Sequence, residues 1–400
     1  MSNNWEQNEE IQIFRDYLRI PSIQPDNGYE PCVAFIIKQA ESLGLPYKVY
    51  RPGGPDQPIV VITWEGTNSE LPSILLNSHM DVVAVFPENW THPPFAAEMD
   101  SEGRIFARGA QDMKCIGMQH LATIRALKNA GVKLKRTIHI TFVPDEESGG
   151  KLGMDKFVHT EDFKNLNIGF SLDEGVASED EVFSIFYAER FMWRLHLKIS
   201  GTTGHGSLLH ENTAGCKLNY VLGKLMARRQ KEVDRLKNNS NLTIGDVMTI
   251  NLTKINGGVQ SNVVPSLIVA VFDIRIPLNV DDEEFLTMIK TWCEEAGGGI
   301  EVYLDLREPK VESTKIDSSN IFWTAFKSAF DELGLKTREL VFPGGTDSRY
   351  IRNIGIPALG FSPMNLTTIT LHANDEYLKA ETYLKGIEIY KKIVQKLANA

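Results

Sequence analysis

Hydrophobic and polar positions along the chain follow two rhythms. Apolar residues recur at helical spacing through Glu10–Leu18, which stops before Ile20-Pro21, and through Pro31–Leu43, where Gly44 can close the helix. Short apolar runs at Tyr47–Tyr50, Ile59–Trp64 and Ser73–Leu76 predict strands. A long helix is predicted over Met113–Asn129, ending before Gly131, then a strand over Thr137–Val143 and a helix around Met154–Val158. Strands that are apolar throughout, interleaved with helices, predict an α/β domain with a mostly parallel central sheet flanked by helices.

Near Ala188 the rhythm changes. Phe191–Ser200 alternates apolar and polar, as a half-exposed antiparallel strand does. An amphipathic helix follows over Ala214–Leu236, then strands at Val247–Leu252 and Leu267–Ile276, a helix at Asp282–Ala296 and a strand at Ile300–Leu306. This β-α-β-β-α-β order predicts a ferredoxin-like α+β domain. The α/β texture returns after Glu308, with helices at Phe322–Leu333 and Tyr383–Leu397. The pattern predicts one domain over 1–189 and 309–400, interrupted by a second over 190–308.

Composition narrows the class. With 400 residues and a net charge of −10, the surface repels phosphate backbones, which argues against nucleic-acid binding. No apolar run reaches the roughly 20 residues that span a bilayer. The opening MSNNWEQNEEIQIF is acidic where a secretion signal is basic. Cys32, Cys115, Cys216 and Cys293 are scattered, without a CxxC pair, and read as reduced thiols of a cytoplasmic protein.

Candidate chemistry lies in acids and histidines placed at the ends of predicted elements. His79 and Asp81 follow the Ser73–Leu76 strand, Glu146 and Glu147 follow Thr137–Val143, Asp173 follows Ile168–Leu172, and His372 follows an expected strand at Thr368–Leu371. Asp112 directly precedes the long helix. Sites in open α/β sheets form beyond the carboxyl ends of strands. Imidazole with carboxylate suits Zn²⁺, and a two-cation site needs a carboxylate that both share. The set divides into His79 with Asp173 on one cation and His372 with Glu147 on the other, sharing Asp112. Asp81 is spaced to hold the His79 ring. Adjacent side chains of a strand face opposite ways, so Glu146 and Glu147 serve one cavity only if the strand has ended, and Gly149-Gly150 implies that it has. Glu147 could then ligate while Glu146 accepts a proton from water.

Plainer roles compete for each residue. Glu146-Glu147 could be a solvated turn, Asp81 a turn residue and Asp112 a helix cap. His120, His139 and His196 read as core residues, His92 and His159 as exposed ones.

Longer stretches carry a resemblance. Ser78-His79-Met80-Asp81-Val82-Val83, Ala107-Arg108-Gly109-Ala110-Gln111-Asp112-Met113-Lys114, Phe142-Val143-Pro144-Asp145-Glu146-Glu147 and Ser171-Leu172-Asp173-Glu174-Gly175 resemble the di-zinc amidohydrolases, among them the aminoacylases. The similarity continues through Gly204-His205-Gly206, Asn262-Val263-Val264-Pro265, Phe272-Asp273-Ile274-Arg275, Gly345-Thr346-Asp347 and Leu371-His372. The resemblance implies hydrolysis of N-acyl-L-amino acids, two Zn²⁺ per subunit, and an inserted lid that also makes a homodimer. It implies His79, Asp112, Glu147, Asp173 and His372 as metal ligands, Asp81 as orienting carboxylate and Glu146 as general base. It further implies that His205 reaches a neighbouring subunit's oxyanion and that Asn262, Arg275 and Thr346 hold substrate. Arg275 offers a planar fork for an α-carboxylate, with Asp273 on the same strand face to hold it.

The chain departs from the family at Met80, at Ala373-Asn374 after His372 and at Gly344-Gly345 before Thr346. The Met80 side chain is expected to point away from the metals, the other two changes bear on pocket shape or acyl preference, and every proposed ligand remains. A dipeptidase or carboxypeptidase of the same chemistry is the alternative, and a catalytically dead binding protein a third reading.

Overall fold

The computed structural model describes residues 5–23 and 28–400. The chain divides into two compact units: Met1–Tyr187 with Ser313–Leu340 and Thr346–Ala400, and Ala188–Glu312 with Val341–Gly345.

The first unit is built on an eight-stranded sheet. Its spatial order is Tyr47–Tyr50, Ile59–Trp64, Ile138–Val143, Ser73–His79, Ile168–Asp173, Ala358–Phe361, Phe183–Glu189 and Thr337–Phe342. The four middle strands, Ile138–Val143 to Ala358–Phe361, run parallel. Tyr47–Tyr50 and Ile59–Trp64 join antiparallel on one side, and Phe183–Glu189 pairs antiparallel on the other. Every residue of Ser73–His79 and Ile138–Val143 is buried, so these strands show no alternation in sequence. Register aligns their ends: His79 pairs with Val143, and Gly360 with Asp173. A parallel sheet thereby delivers the residues that follow these strands to one edge.

Helix Lys114–Asn129 lies against this sheet through Gly117. A Cβ there would come within 2.5 Å of the Phe142 ring and 2.9 Å of Ser78 Oγ. Only glycine lets the helix approach so closely. His120 on the same helix is fully buried, edge-on to Tyr390, as expected for a core residue. His139 is buried in its strand, with Thr63 Oγ1 and the Leu166 carbonyl at its two ring nitrogens.

Two expectations fail here. Thr368–Leu371 is not a strand. Its backbone groups are taken by a side chain: Gln111 Nε2 donates to the Thr368 carbonyl, and Gln111 Oε1 accepts from the Thr370 N–H. His92 is half-buried rather than exposed, stacked on Phe106 with ring centroids 3.9 Å apart and its Nδ1 2.8 Å from Glu98. His159 is exposed.

The second unit carries an antiparallel sheet in the order Thr249–Gly257, Leu267–Ile276, Phe191–Ser200 and Ile300–Arg307, with helices Ala214–Asn238 and Asp282–Glu295. Trp193, Leu195, Leu197 and Ile199 point into a core shared with Leu218, Val221, Phe285 and Ile289. Each such burial contributes about 1.5–3 kcal/mol relative to exposure. The edge strand runs over Thr249–Gly257 rather than the expected Val247–Leu252; a bulge at Leu252/Lys254 lies within it, and pairing continues beyond it to Gly257. His196 is not a core residue. It lies on the opposite, polar face of the sheet, with Tyr303 Oη 2.9 Å from Nδ1 and Asp305 3.0 Å from Nε2.

Candidate metal centre

His79 is the last residue of a central strand, and its side chain is 1% exposed. Its Nδ1 lies 2.9 Å from the Asp81 carbonyl, which can only accept, so Nδ1 carries a proton and Nε2 faces the cluster. The Asp81 carboxylate lies 3.5 Å from Nδ1. It also accepts the backbone N–H groups of Glu146, at 3.2 Å, and Glu147, at 3.0 Å. Asp81 therefore joins the His79 strand end to the next loop.

That loop is a tight turn. The strand ends at Val143, Asp145 takes the left-handed conformation (φ 70°), and Glu146–Ser148 form a single 3₁₀ turn. The Asp145 carboxylate accepts the Leu152 N–H at 2.7 Å, while Arg349 and the Tyr350 hydroxyl donate to the Gly149 carbonyl. The turn frees Glu146 and Glu147 from strand alternation.

Four of the five expected ligands converge. His79 Nε2 is 3.0 Å from Asp112 Oδ1, and His372 Nε2 is 3.0 Å from Asp112 Oδ2 and 3.1 Å from Glu147 Oε2. Asp112 thus turns one oxygen toward each imidazole. The fifth ligand needs correcting: Glu174, not Asp173, completes the His79 side, with Oε1 3.6 Å from Nε2. The strand runs one residue further than expected, so Asp173 still obeys its alternation and faces away. Its oxygens accept from Asn77 Nδ2, the Glu174 N–H and Ser348 Oγ at 2.9–3.0 Å. Two triads result, His79/Asp112/Glu174 and Asp112/Glu147/His372, each with ligand atoms within 4.8 Å of one another. The adjacent-acid pattern of Glu146-Glu147 recurs in Asp173-Glu174 and was the available signal for Glu174.

Electrostatics at the cluster are strongly coupled. Burial favours a neutral His79 ring, yet Glu174, Asp112 and Asp81 outweigh it and raise its pKa well above the ordinary value. Hydrogen bonds to Asp112 and Glu147 push His372 up to about 10. Burial works to raise Asp112 too, but the two imidazoles draw it well below the carboxylate range. Glu146, Glu147 and Glu174 are all raised, first by burial and then by neighbouring carboxylates. Acids outnumber bases in this confined space, and Glu147 Oε1 is buried with no hydrogen-bond partner among the described residues. The nitrogen and oxygen donors fit divalent cations of the zinc type.

A further layer was not foreseen. Glu376 is fully buried and pairs with Arg108 at 2.7 Å. Asn77 bridges Asp173 and Asp347, at 3.0 and 3.4 Å, and accepts from Thr141. These residues carry no strand-end signal and emerge only from packing.

The remaining expected residues fall as follows. In the first unit Thr346 is buried, and its Oγ1 accepts the Ser348 N–H at 3.3 Å. In the second unit His205 is exposed on Gly204–His205, which pairs with Val263–Val264; Gly206 N donates to the Asn262 carbonyl, making His205 and Asn262 neighbours. Arg275 is held by Asp273 through Nε and Nη2, at 2.9 and 3.2 Å.

Imidazoles and carboxylates gathered at the carboxyl edge of an α/β sheet mark a metal-assisted hydrolase. The chain belongs to peptidase family M20/M25/M40, whose family model matches residues 75–396. It is 45% identical to aminoacylase-1B of Rattus norvegicus, over 98% of this chain and 96% of that protein. It is 44% identical to aminoacylase-1 of Homo sapiens over the same shares. Among solved structures it is similar to an M20 family metallo-carboxypeptidase from Sulfolobus solfataricus, with a TM-score of 0.75, 19% identity, and coverage of 98% of this chain and 100% of that one. The protein is an amide-hydrolysing enzyme.

Proposed function

We propose that this enzyme cleaves N-acyl-L-amino acids to a carboxylic acid and a free L-amino acid at a centre holding two Zn²⁺. The observation that carries the reading is Asp112, whose two oxygens face the two imidazoles at 3.0 Å each. His79, Asp112 and Glu174 would hold one cation, and Asp112, Glu147 and His372 the other. When bound, the cations polarise the amide carbonyl and lower the pKa of water toward about 7.

The chain supplies the rest. Glu146 accepts the proton of the attacking water and delivers it to the departing nitrogen. Asp81 keeps the His79 ring and the Glu146 backbone in fixed relation. Arg275, steadied by Asp273, binds the free α-carboxylate, and Thr346 is a further substrate-holding residue. Asn262 and His205 donate to the oxygen that gains charge in the tetrahedral intermediate. His205 does so from the second subunit of a homodimer, the inserted domain over 190–308 serving as lid and interface. Four free thiols fit a cytosolic setting. Among the described residues no helix is long and apolar enough to cross a membrane.

The aminoacylase names of the relatives favour this reading over a peptidase. A zinc-loaded screen of N-acetyl amino acids, N-acetyl-methionine first, against dipeptides and C-terminal peptide substrates tests it. The expected result is kcat/KM at least tenfold higher for the N-acyl amino acids. Preference for dipeptides would make the enzyme a dipeptidase, and inactivity on both with zinc bound would make it a binding protein.

A further inference from the structure

We propose that Arg108 and Glu376 are positioning residues that set the affinity of the His372-side cation, an inference that rests on the two-cation reading above. The Glu376 carboxylate gathers four donors from the loop that carries Asp112. Oε1 accepts from the Gln111 N–H at 2.7 Å and the Asp112 N–H at 3.2 Å, and Oε2 from the Gly109 N–H at 3.2 Å and Arg108 Nη1 at 2.7 Å. Arg108 then reaches the loop of the other ligand: its guanidinium donates to the His372 carbonyl at 3.3 Å and the Ala373 carbonyl at 3.1 Å. The face of Trp90 lies 5.1 Å away. Gln111 adds a second brace, with Nε2 on the carbonyls of Thr368 and Tyr377 and Oε1 on the Thr370 N–H.

The two triads are supported differently. His79 and Glu174 sit at the ends of adjacent parallel strands, locked by Asp81 and Asp173. His372 sits on a loop, its side chain 48% exposed and its backbone left-handed at φ 60°. Neither ligand lies in a strand: the nearest pairing, Tyr377 with Phe106, is five residues from His372 and six from Asp112. Between that pairing and the ligands, the buried ion pair joins the two loops. All four groups at the Glu376 oxygens are donors, so only a carboxylate satisfies them; a glutamine amide would turn an NH₂ toward N–H groups. Residues that orient ligands typically change metal affinity 10–100-fold when altered.

The test is metal binding by the full-length enzyme. Metal-free wild type and Glu376→Gln are titrated with Co²⁺ against a competing chelator, and bound metal is counted by mass spectrometry and the visible spectrum. The expected result is one cation held with wild-type affinity and a second weakened about 10–100-fold. A merely structural role would lower the melting temperature without splitting the two affinities. If Glu376→Gln does not fold, Gln111→Ala, which removes the second brace without unpairing a charge, is expected to weaken the same cation. A folded variant that binds both cations as wild type does overturns the proposal. Wild type that binds only one cation overturns the two-cation reading itself, a separate outcome.

Discussion

Asp173 and Glu174 stand side by side and face opposite ways. Strand alternation sends Asp173 to Asn77 and Ser348, and the end of the strand releases Glu174 toward His79. Asp173 then acts on the centre through the backbone, by accepting the Glu174 N–H. Glu174→Gln is expected to weaken the cation on the His79 side by at least 100-fold, since a charged ligand is lost. Asp173→Asn, which keeps Glu174, is expected to cost about tenfold. Metal counting on both variants decides it; the reverse order would return the ligand role to Asp173. The residue types were legible in the sequence, and the choice between neighbours was not. One residue of strand length reverses which acid faces the cluster.

Helix Lys114–Asn129 shows what an element adds. Its apolar spacing made it legible, as did the placing of His120 in the core. Its closeness to the sheet, through Gly117, was not. His120 is fully buried and neither ring nitrogen has a hydrogen-bond partner among the described residues, so burial lowers its pKa to about 3. The unfolded ring titrates near 6.5, so between about pH 6.5 and 3 the unfolded state binds the extra proton. The contribution of the neutral ring is therefore whole above pH 6.5 and declines as pH falls through that window. His120→Leu is expected to leave stability at pH 7 little changed and to shrink the loss between pH 7 and pH 5 by about 2 kcal/mol. Urea unfolding at the two pH values measures this; an unchanged loss would mean that the buried ring is not the source. Elsewhere the helical and strand rhythms placed most elements within a few residues. The exception at Thr368–Leu371 arose because a side-chain amide, Gln111, supplies bonds that a neighbouring strand normally would.

For the whole molecule, the proposed homodimer makes a quantitative prediction. Equal amounts of His205→Ala and Glu146→Gln chains, allowed to exchange, should form mixed dimers with one complete site each. Activity should then recover to about a quarter of wild type, if half the dimers are mixed. Mixed dimers verified by native mass spectrometry that gain nothing over their parents would remove His205 from the neighbouring site. The sequence alone determined the α/β class, the change to an alternating antiparallel sheet near Ala188, and the kinds of residue that make the chemistry, because burial periodicity and residue type are local properties. Only the tertiary structure decided that Glu174 stands in for Asp173, that Asp112 faces both imidazoles, and that Arg108 and Glu376 join two loops more than 250 residues apart in the chain. Those outcomes depend on strand register, turn geometry and the need of buried charges for partners, which arise once distant segments share one dry interior.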